Sequence, residues 1–209
     1  MPEFERLSMP LGEAMFTMRA MRRLKPDPIP DEDLRLILLA AGRAPSARNG
    51  QPWHFLVLRD SLRKQQLQEV FQRDWWERRN RSGIRTIDDV PEGDRSTVEF
   101  LERLAQVPVL ILACVTSTRV ANEVLAAAEN LLLAARGLGI GGTLMRFGPA
   151  TDGATERSLR ELFGLPENAK VEYVIPLGYP LGQFAEPRRK DLREIVSLDA
   201  WGQPAPFAG

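Results

Sequence analysis

Apolar residues recur along parts of the chain at intervals of three and four, and this period predicts two main helices. The first runs from Asp31 to Gly42 and places Leu34, Ile37, Leu38 and Ala41 on one face. The second runs from Ala121 to Leu138 and carries alanine or leucine on most of its other faces too. A helix that is apolar nearly all round is a buried one, so we expect it at the centre of the domain or of a dimer.

Four short apolar runs between turn residues predict strands. They are Trp53–Leu58, Val109–Val115, Gly142–Phe147 and Val171–Leu177. Because these runs are intermixed with helical segments, the pattern predicts an α+β or three-layer α/β/α arrangement. A chain of 209 residues can bury one sizeable core and shows no internal repeat, so we expect a single domain over residues 1–209.

Two segments depart from this pattern. The stretch Phe71–Glu99 is rich in charge, contains Gly83, Pro91 and Gly93, and holds Trp75 and Trp76 side by side. An excursion of this length with two large aromatic residues is typical of a lid or binding loop. The alternative is a solvated helix with one tryptophan docked on the core. The tail after Ser197 is too short and proline-rich to fold alone, so we expect a C-terminal extension that lies against a partner subunit.

Composition narrows the class of protein. Lysine plus arginine and aspartate plus glutamate balance at 28 each, which argues against a nucleic-acid binder. Cys114 lies in an apolar run and is predicted to be a small buried hydrophobe, while His54 in a predicted strand is expected to be a buried structural histidine. With one cysteine and one histidine, a metal site is not expected. No segment resembles a signal peptide or reaches membrane-spanning length, so we expect a soluble, cytoplasmic protein without membrane contact.

The ten residues from Ala44 to Trp53, Ala-Pro-Ser-Ala-Arg-Asn-Gly-Gln-Pro-Trp, form an unusual connection between a helix and a strand. Two prolines hold the backbone extended. Ser46, Asn49 and Gln51 place short hydrogen-bonding groups beside it. Such a loop suits the edge of a flat heteroaromatic ring, whose donors and acceptors need polar groups at fixed positions. The alternative is a polar loop that only caps the helix and starts the strand.

The order of these elements resembles the FMN-dependent nitroreductase family. That family's N-terminal signature reads approximately R-R-S-x-R-x-F, then P-x-P, then A-P-S-x-x-N-x-Q-P-W, and the resemblance covers most of the chain, weakening between about Leu67 and Leu104. It implies a nitroreductase-like fold, with a central, mostly antiparallel sheet flanked by helices. It also implies a homodimer with flavin sites built from both chains at the subunit interface. FMN would be the cofactor, NAD(P)H the transient reductant, and nitroaromatics or quinones the acceptors, in alternating half-reactions.

The resemblance also implies three groups of flavin-binding residues. The ring edge would meet Pro45, Ser46, Asn49 and Gln51. A backbone amide among Leu144, Met145 and Arg146 would donate to the reactive ring nitrogen N5. The phosphate end would be held by Arg19, Ala20 and Arg22 near the N-terminus and by Arg188 and Arg189 near the C-terminus. Since the flavin carries the chemistry, no side chain is expected to be an indispensable acid, base or nucleophile.

Three positions depart from the family pattern near the phosphate. Met18 replaces the first arginine and Ala20 the serine of R-R-S-x-R, which removes one guanidinium and one hydroxyl. Asp191 stands where proline is usual in the C-terminal G-Y-P … R-K-P-L ending. We therefore expect phosphate binding to depend more on the C-terminal cluster.

The run from Gly137 to Gly142 satisfies G-x-G-x-x-G, the fingerprint of dinucleotide-binding folds. That fingerprint follows a strand and opens a helix, whereas these glycines follow a helix and precede a strand. We interpret them as a helix stop followed by a close backbone approach. Two alternatives to the nitroreductase reaction stay open: the same fold with reductive dehalogenation or flavin-consuming chemistry, and a flavin-binding regulatory protein with little turnover. The sequence does not choose the acceptor or distinguish NADPH from NADH.

Overall fold

A computed structural model describes residues 3–117, 122–146 and 153–209 of the chain. Its helices are α1 (Leu11–Thr17), α2 (Asp31–Ala41), α3 (Ser61–Arg81), α4 (Glu92–Glu102), α5 (Glu123–Gly137), α6 (Ala154–Phe163) and α7 (Leu192–Ile195). Its strands are β1 (Trp53–Leu58), β2 (Val109–Val115), β3 (Gly141–Gly142) and β4 (Lys170–Gly178). The two predicted long helices are confirmed as α2 and α5, although Ala121 lies outside the described residues.

The strands form one sheet in the order β1-β2-β4-β3, and all three strand pairs are antiparallel. Three of the predicted strands match β1, β2 and β4 closely. The predicted strand Gly142–Phe147 is too long, because regular pairing covers only Gly141 and Gly142 and returns at an isolated bridge between Met145 and Val174. Phe147 lies outside the described residues.

Pro176 explains the interruption of this ladder. Met145 and Val174 exchange both backbone hydrogen bonds at 2.9 Å, so the next hydrogen-bonded pair in register would be Thr143 with Pro176. Proline has no N–H and cannot complete that pair. The segment after β3 therefore stays beside β4 without forming a continuous strand.

The sheet is buried on both faces, which gives the three layers. In β2, Val109, Ile111, Ala113 and Val115 pack with α2 and α5, while Leu110, Leu112 and Cys114 pack with α3 and α4. This alternation is the period of two that a strand imposes on its side chains. Helix α5 is buried over most of its circumference, but Leu125 is 42% exposed in the single chain.

The stretch expected to be a lid or binding loop is mostly helical. Helix α3 continues to Arg81 and α4 begins at Glu92. Trp75 is 6% exposed in the core beneath the sheet, and Trp76 meets it edge-on with ring centroids 4.9 Å apart. This arrangement agrees with the alternative of a helix that docks one tryptophan on the core. A lid function for this stretch stays a prediction.

Two further predictions concern single side chains. Cys114 is buried, as expected, and burial raises the pKa of its thiol to about 11. The expectation that His54 is buried is wrong, because β1 is an edge strand and His54 is exposed on it in the single chain. Within the described ranges, no helix is both long and apolar enough to cross a bilayer.

Candidate functional site

The N-terminal segment around Ala20 docks on the glycine turn that follows α5. Ala20 forms a parallel bridge with Gly142, and the Met21 amide donates to the Gly142 carbonyl at 2.8 Å. A Cβ added to Gly142 would lie 2.8 Å from both the Leu177 Cδ2 and the Pro176 carbonyl oxygen. Helix α5 ends at Gly137, and Gly139 has a φ of 73°. The glycine run is therefore a helix stop followed by a close backbone approach, as predicted.

This docking brings several of the predicted site residues to one cavity of about 540 Å³. Its wall on the sheet side contains Arg22, Leu144, Met145 and Arg146, and its other walls come from α3 and α4. The volume falls within the range of roughly 300–1,000 Å³ that small-molecule and cofactor sites occupy. The cavity is thus large enough for a planar ring system.

The backbone of residues 144–146 determines which amides can face a ligand. The Met145 amide already donates to the Val174 carbonyl. Because N–H groups alternate in direction along an extended segment, the amides of Leu144 and Arg146 point to the opposite edge. Gly142 points its carbonyl to that same edge, where it meets Met21. Of the three predicted amide donors, Met145 is therefore unsuitable, and Leu144 and Arg146 face the edge occupied by the N-terminal segment.

The loop Ala44–Trp53 is held in a strained conformation. Arg48, Asn49 and Gln51 have φ values of 53°, 56° and 44°, in the left-handed region that disfavours residues with a Cβ. The Ser46 Oγ accepts from the Gln51 amide at 3.0 Å, and the Gln51 Nε2 donates to the Asn49 Oδ1 at 3.1 Å. Non-glycine residues in this region cluster at functional sites, where the surroundings hold them in place.

Glu123 holds this loop from outside and was not identified from the sequence. Its Oε1 accepts from the Ala47 amide at 2.9 Å. An acidic residue in the first turn of a helix is ordinarily explained by the helix dipole, so sequence gave no reason to connect it with the loop. The anchor fixes the loop against the N-terminal end of α5.

The loop and the cavity lie at different places on the sheet. Trp53 at the loop end pairs with Val115, the last residue of β2, whereas Gly142 pairs through Leu177 with Val109, the first residue of β2. Gly142 and Trp53 are therefore separated by roughly 20 Å along the strands and by about 14 Å across three strand spacings. Met145 pairs through Val174 with Leu112 and Leu56, so it lies nearer to Trp53 along the strands, at roughly 10 Å, but the same three strand spacings away. One chain therefore does not bring Pro45, Ser46, Asn49 and Gln51 together with Arg19, Ala20, Arg22, Leu144, Met145 and Arg146.

The C-terminal basic cluster follows a segment that packs against the N-terminal segment and helix α5. The Leu181 amide donates to the Arg23 carbonyl at 2.9 Å, and the Phe184 ring lies 4.2 Å from the guanidinium of Arg136. Arg136 is buried and was not identified from the sequence; its Nε also donates to the Thr17 Oγ1 at 2.8 Å. These contacts tie the C-terminal segment to the N-terminal one.

Arg188 and Arg189 themselves are exposed, and the Arg189 Nη1 donates to the Arg188 carbonyl at 3.2 Å. Asp191, the departure from the family ending, caps the N-terminus of α7: its Oδ1 accepts from the Arg193 amide at 2.9 Å. The two arginines are therefore displayed at the start of a short capped helix, with most of their donors turned to solvent.

Comparison with known proteins identifies the family to which the chain belongs. Residues 17–179 match the sequence profile described as the Nitroreductase family, which is well over half of the chain. The chain belongs to the nitroreductase family. The resemblance seen in the sequence is thereby confirmed, and so is the predicted fold class, since solved nitroreductase-fold structures superpose on the chain.

Relatives within the nitroreductase family carry different names. A protein of Archaeoglobus fulgidus, provisionally named NADH dehydrogenase/NAD(P)H nitroreductase, is 35% identical over 79% of this chain and 83% of its own length. An iodotyrosine deiodinase of Hydra vulgaris is 27% identical over 88% of this chain and 70% of its own length. Among solved structures, an iodotyrosine deiodinase bound to FMN and 3-iodo-L-tyrosine gives a TM-score of 0.74 at 24% identity, covering 92% and 100% of the two chains. An FMN-dependent nitroreductase of Clostridium difficile gives 0.69 at 21% identity, covering 90% and 98%.

Proposed function

We propose that this protein is a homodimeric, FMN-dependent oxidoreductase that takes electrons from NAD(P)H and passes them to nitroaromatics, quinones or similar electron-poor acceptors. The observation that carries the proposal is the division of the site. One half is the loop Ala44–Trp53, and the other is the cavity lined by Arg22 and residues 144–146. Each half has an anchored backbone and groups suited to a ring or a phosphate, yet the two halves lie at different places on one sheet. A second copy of the chain would supply the missing half.

The residues present fit a bound FMN. The amides of Leu144 and Arg146 would approach the ring, and the partner's loop would meet the ring edge through Ser46, Asn49 and Gln51. Arg19, Arg22, Arg188 and Arg189 would hold the phosphate by charge-assisted hydrogen bonds. When bound, the flavin supplies the redox chemistry by accepting hydride at N5. Donors fixed beside that nitrogen stabilise the charge that develops there.

The apolar surface of the single chain supports dimerisation. Large apolar side chains are exposed along the N-terminal region, α2 and α5, among them Leu11, Met15, Phe16, Leu39 and Leu125. Neighbouring apolar residues line a groove of about 710 Å³ between α2, α5 and the N-terminal segment. Contiguous apolar surface of this kind marks an interaction site on a soluble protein.

The names of relatives support the reductant and cofactor, since they include NAD(P)H nitroreductases and FMN-bound structures. To test the proposal, the purified protein is loaded with FMN, its released cofactor is identified by chromatography, and its reduction by NADPH and by NADH is followed anaerobically by stopped flow. We expect bound FMN, rapid bleaching by at least one nicotinamide, and reoxidation by a nitroaromatic or quinone. A colourless protein that does not take up FMN would refute the proposal.

Reductive dehalogenation is a second candidate. It is favoured by the several iodotyrosine deiodinases among the relatives and by the fold match to one of them. The FMN-loaded, chemically reduced protein is incubated with 3-iodo-L-tyrosine, and iodide is measured. Stoichiometric iodide release with slow nitroaromatic reduction would favour this reaction over the first.

A further inference from the structure

We propose that the 540 Å³ cavity selects acceptors that are planar, aromatic and negatively charged, with a carboxylate or sulfonate held by Arg79 and Arg78 of α3. This inference rests on the proposed function and specifies its acceptor. It concerns the wall of the cavity opposite residues 144–146, a wall to which the family resemblance gave no role.

The cavity combines an apolar, aromatic lining with an excess of positive charge. Trp75, Phe100, Leu101, Leu144 and Met145 supply apolar surface. Four arginines line the same space, Arg22, Arg78, Arg79 and Arg146, against one carboxylate, Asp94. An apolar slot suits an aromatic ring, and guanidinium groups at its rim suit an oxyanion on that ring.

Buried carboxylates position two of these arginines from behind. Asp74 is 2% exposed and pairs with the Arg78 Nη2 at 2.8 Å, and Glu172 is 8% exposed and lies 3.5 Å from the Arg146 Nη2. Neither acid lines the cavity. The guanidinium groups are therefore the charged surface that a ligand would meet. Arg22 has no ion pair with any residue in the described ranges, but under the proposed function the FMN phosphate would take its charge, which leaves Arg78, Arg79 and Arg146 to meet an acceptor.

Arg79 is held by two contacts, one to a carboxylate of α4 and one to an aromatic ring of α3. Its Nη2 contacts the Asp94 Oδ2 at 2.6 Å, and its guanidinium carbon lies 5.1 Å from the centre of the Trp75 ring. A guanidinium has five N–H donors, and the ion pair with Asp94 uses one nitrogen. A side chain already fixed by a carboxylate and an aromatic face loses little freedom when it binds an anion. Neutral acceptors make no use of this arrangement, and cationic ones are repelled by it.

The test compares two acceptors that differ in charge and little in shape, para-nitrobenzoate and para-nitrobenzamide. Their kcat/KM ratio is measured for the FMN-loaded protein, for Arg79→Gln, and for the control Arg73→Gln. Arg73 lies on the same helix and donates to the Ser158 Oγ at 2.7 Å, outside the cavity lining. The two acceptors differ in redox potential, but this difference contributes equally to the ratio in wild type and variant. It therefore cancels when the two ratios are compared.

We expect the benzoate-to-benzamide ratio to fall about tenfold in Arg79→Gln, chiefly through KM for the anion, and to stay unchanged in Arg73→Gln. Calorimetric binding of benzoate to the oxidised protein should weaken by a similar factor, while FMN affinity is retained. An unchanged ratio in a protein that binds FMN and reduces both acceptors overturns this inference alone. A loss of FMN affinity in Arg79→Gln without loss of discrimination assigns Arg79 to the cofactor phosphate and also overturns it. A protein that takes up no FMN overturns the proposed function as well.

Discussion

Two defective chains should restore each other if the flavin site is divided between subunits. One variant carries Asn49→Ala and Gln51→Ala in the loop, and the other carries Arg22→Ala and Arg189→Ala in the cavity half. Each variant alone should form dimers with two damaged sites. A mixed dimer should contain one site with both halves damaged and one with both halves intact.

The magnitudes follow from the contacts that each variant removes. Losing two charge-assisted phosphate contacts should cost about 3 kcal/mol, roughly a hundredfold in FMN affinity. In the loop, the change removes the 3.1 Å bond between Gln51 and Asn49 and places alanine at φ values of 44° and 56°. Together with lost ring contacts this should cost about 2–4 kcal/mol. Random association of the two chains makes about half of the dimers mixed, so about a quarter of wild-type sites should reappear.

The assay is FMN binding and NAD(P)H oxidation after co-expression with two different affinity tags, at an FMN concentration equal to the wild-type Kd, where a site weakened about thirtyfold or more binds little FMN. Co-expression of each variant with itself is the control. Recovery near a quarter of the wild-type stoichiometry is the expected result. If the mixed dimers form but recover nothing, the halves do not meet across the interface, and the division of the site derived from the strand register is wrong.

Three further predictions test separate features. Gly142→Ala should destabilise the fold by about 2 kcal/mol, measured by urea unfolding, because its Cβ would lie 2.8 Å from Leu177 and Pro176. The control is Gly93→Ala in helix α4, which has open space around it and should be neutral or stabilising by up to about 1 kcal/mol. Burial raises the pKa of the Cys114 thiol to about 11, so little reactive thiolate is present in the native protein at pH 8. A thiol reagent at pH 8 should therefore label the native protein far more slowly than the unfolded one. Rapid labelling of the native protein would contradict this prediction. Removal of residues 198–209 should weaken dimerisation, measured by light scattering. The reason is that Trp201 is fully exposed in the single chain, on a turn closed by the hydrogen bond from the Leu198 amide to the Gln203 carbonyl. If the truncated protein forms an equally stable dimer, the tail has no role in dimerisation.

Local sequence signals located most of the secondary structure. The bounds of β1 and β2 were predictable because each is a short apolar run between turn residues. The end of the predicted strand after Gly142 was not, because it depends on Pro176, which lies on a different strand. Helix α3 was partly overlooked in a charge-rich stretch, although Leu67, Phe71 and Trp75 recur at intervals of four and are all buried. That spacing was the available signal for a helix.

The sequence was sufficient to predict which residues belong to the candidate site, but not how they are arranged in space. The motif identified the loop and the basic clusters, yet which of them share a cavity depends on strand register and on the docking of Ala20 against Gly142. Those are contacts between residues far apart in the chain. The left-handed conformations of the loop were also hidden, since the one glycine in it, Gly50, has an ordinary φ of −70° and its neighbours carry the strain.

That distribution of φ values has a consequence for anyone who engineers this protein. Glycine at Arg48 would relieve a left-handed conformation costing about 1 kcal/mol or more, a gain that exceeds the added entropy of the unfolded chain, so it should raise the melting temperature of the empty protein slightly. The same change would let the loop sample many conformations before a ligand arrives, and the ligand would then have to select one of them. A screen for thermal stability alone would therefore be expected to enrich glycine here and to return robust proteins that bind their cofactor poorly.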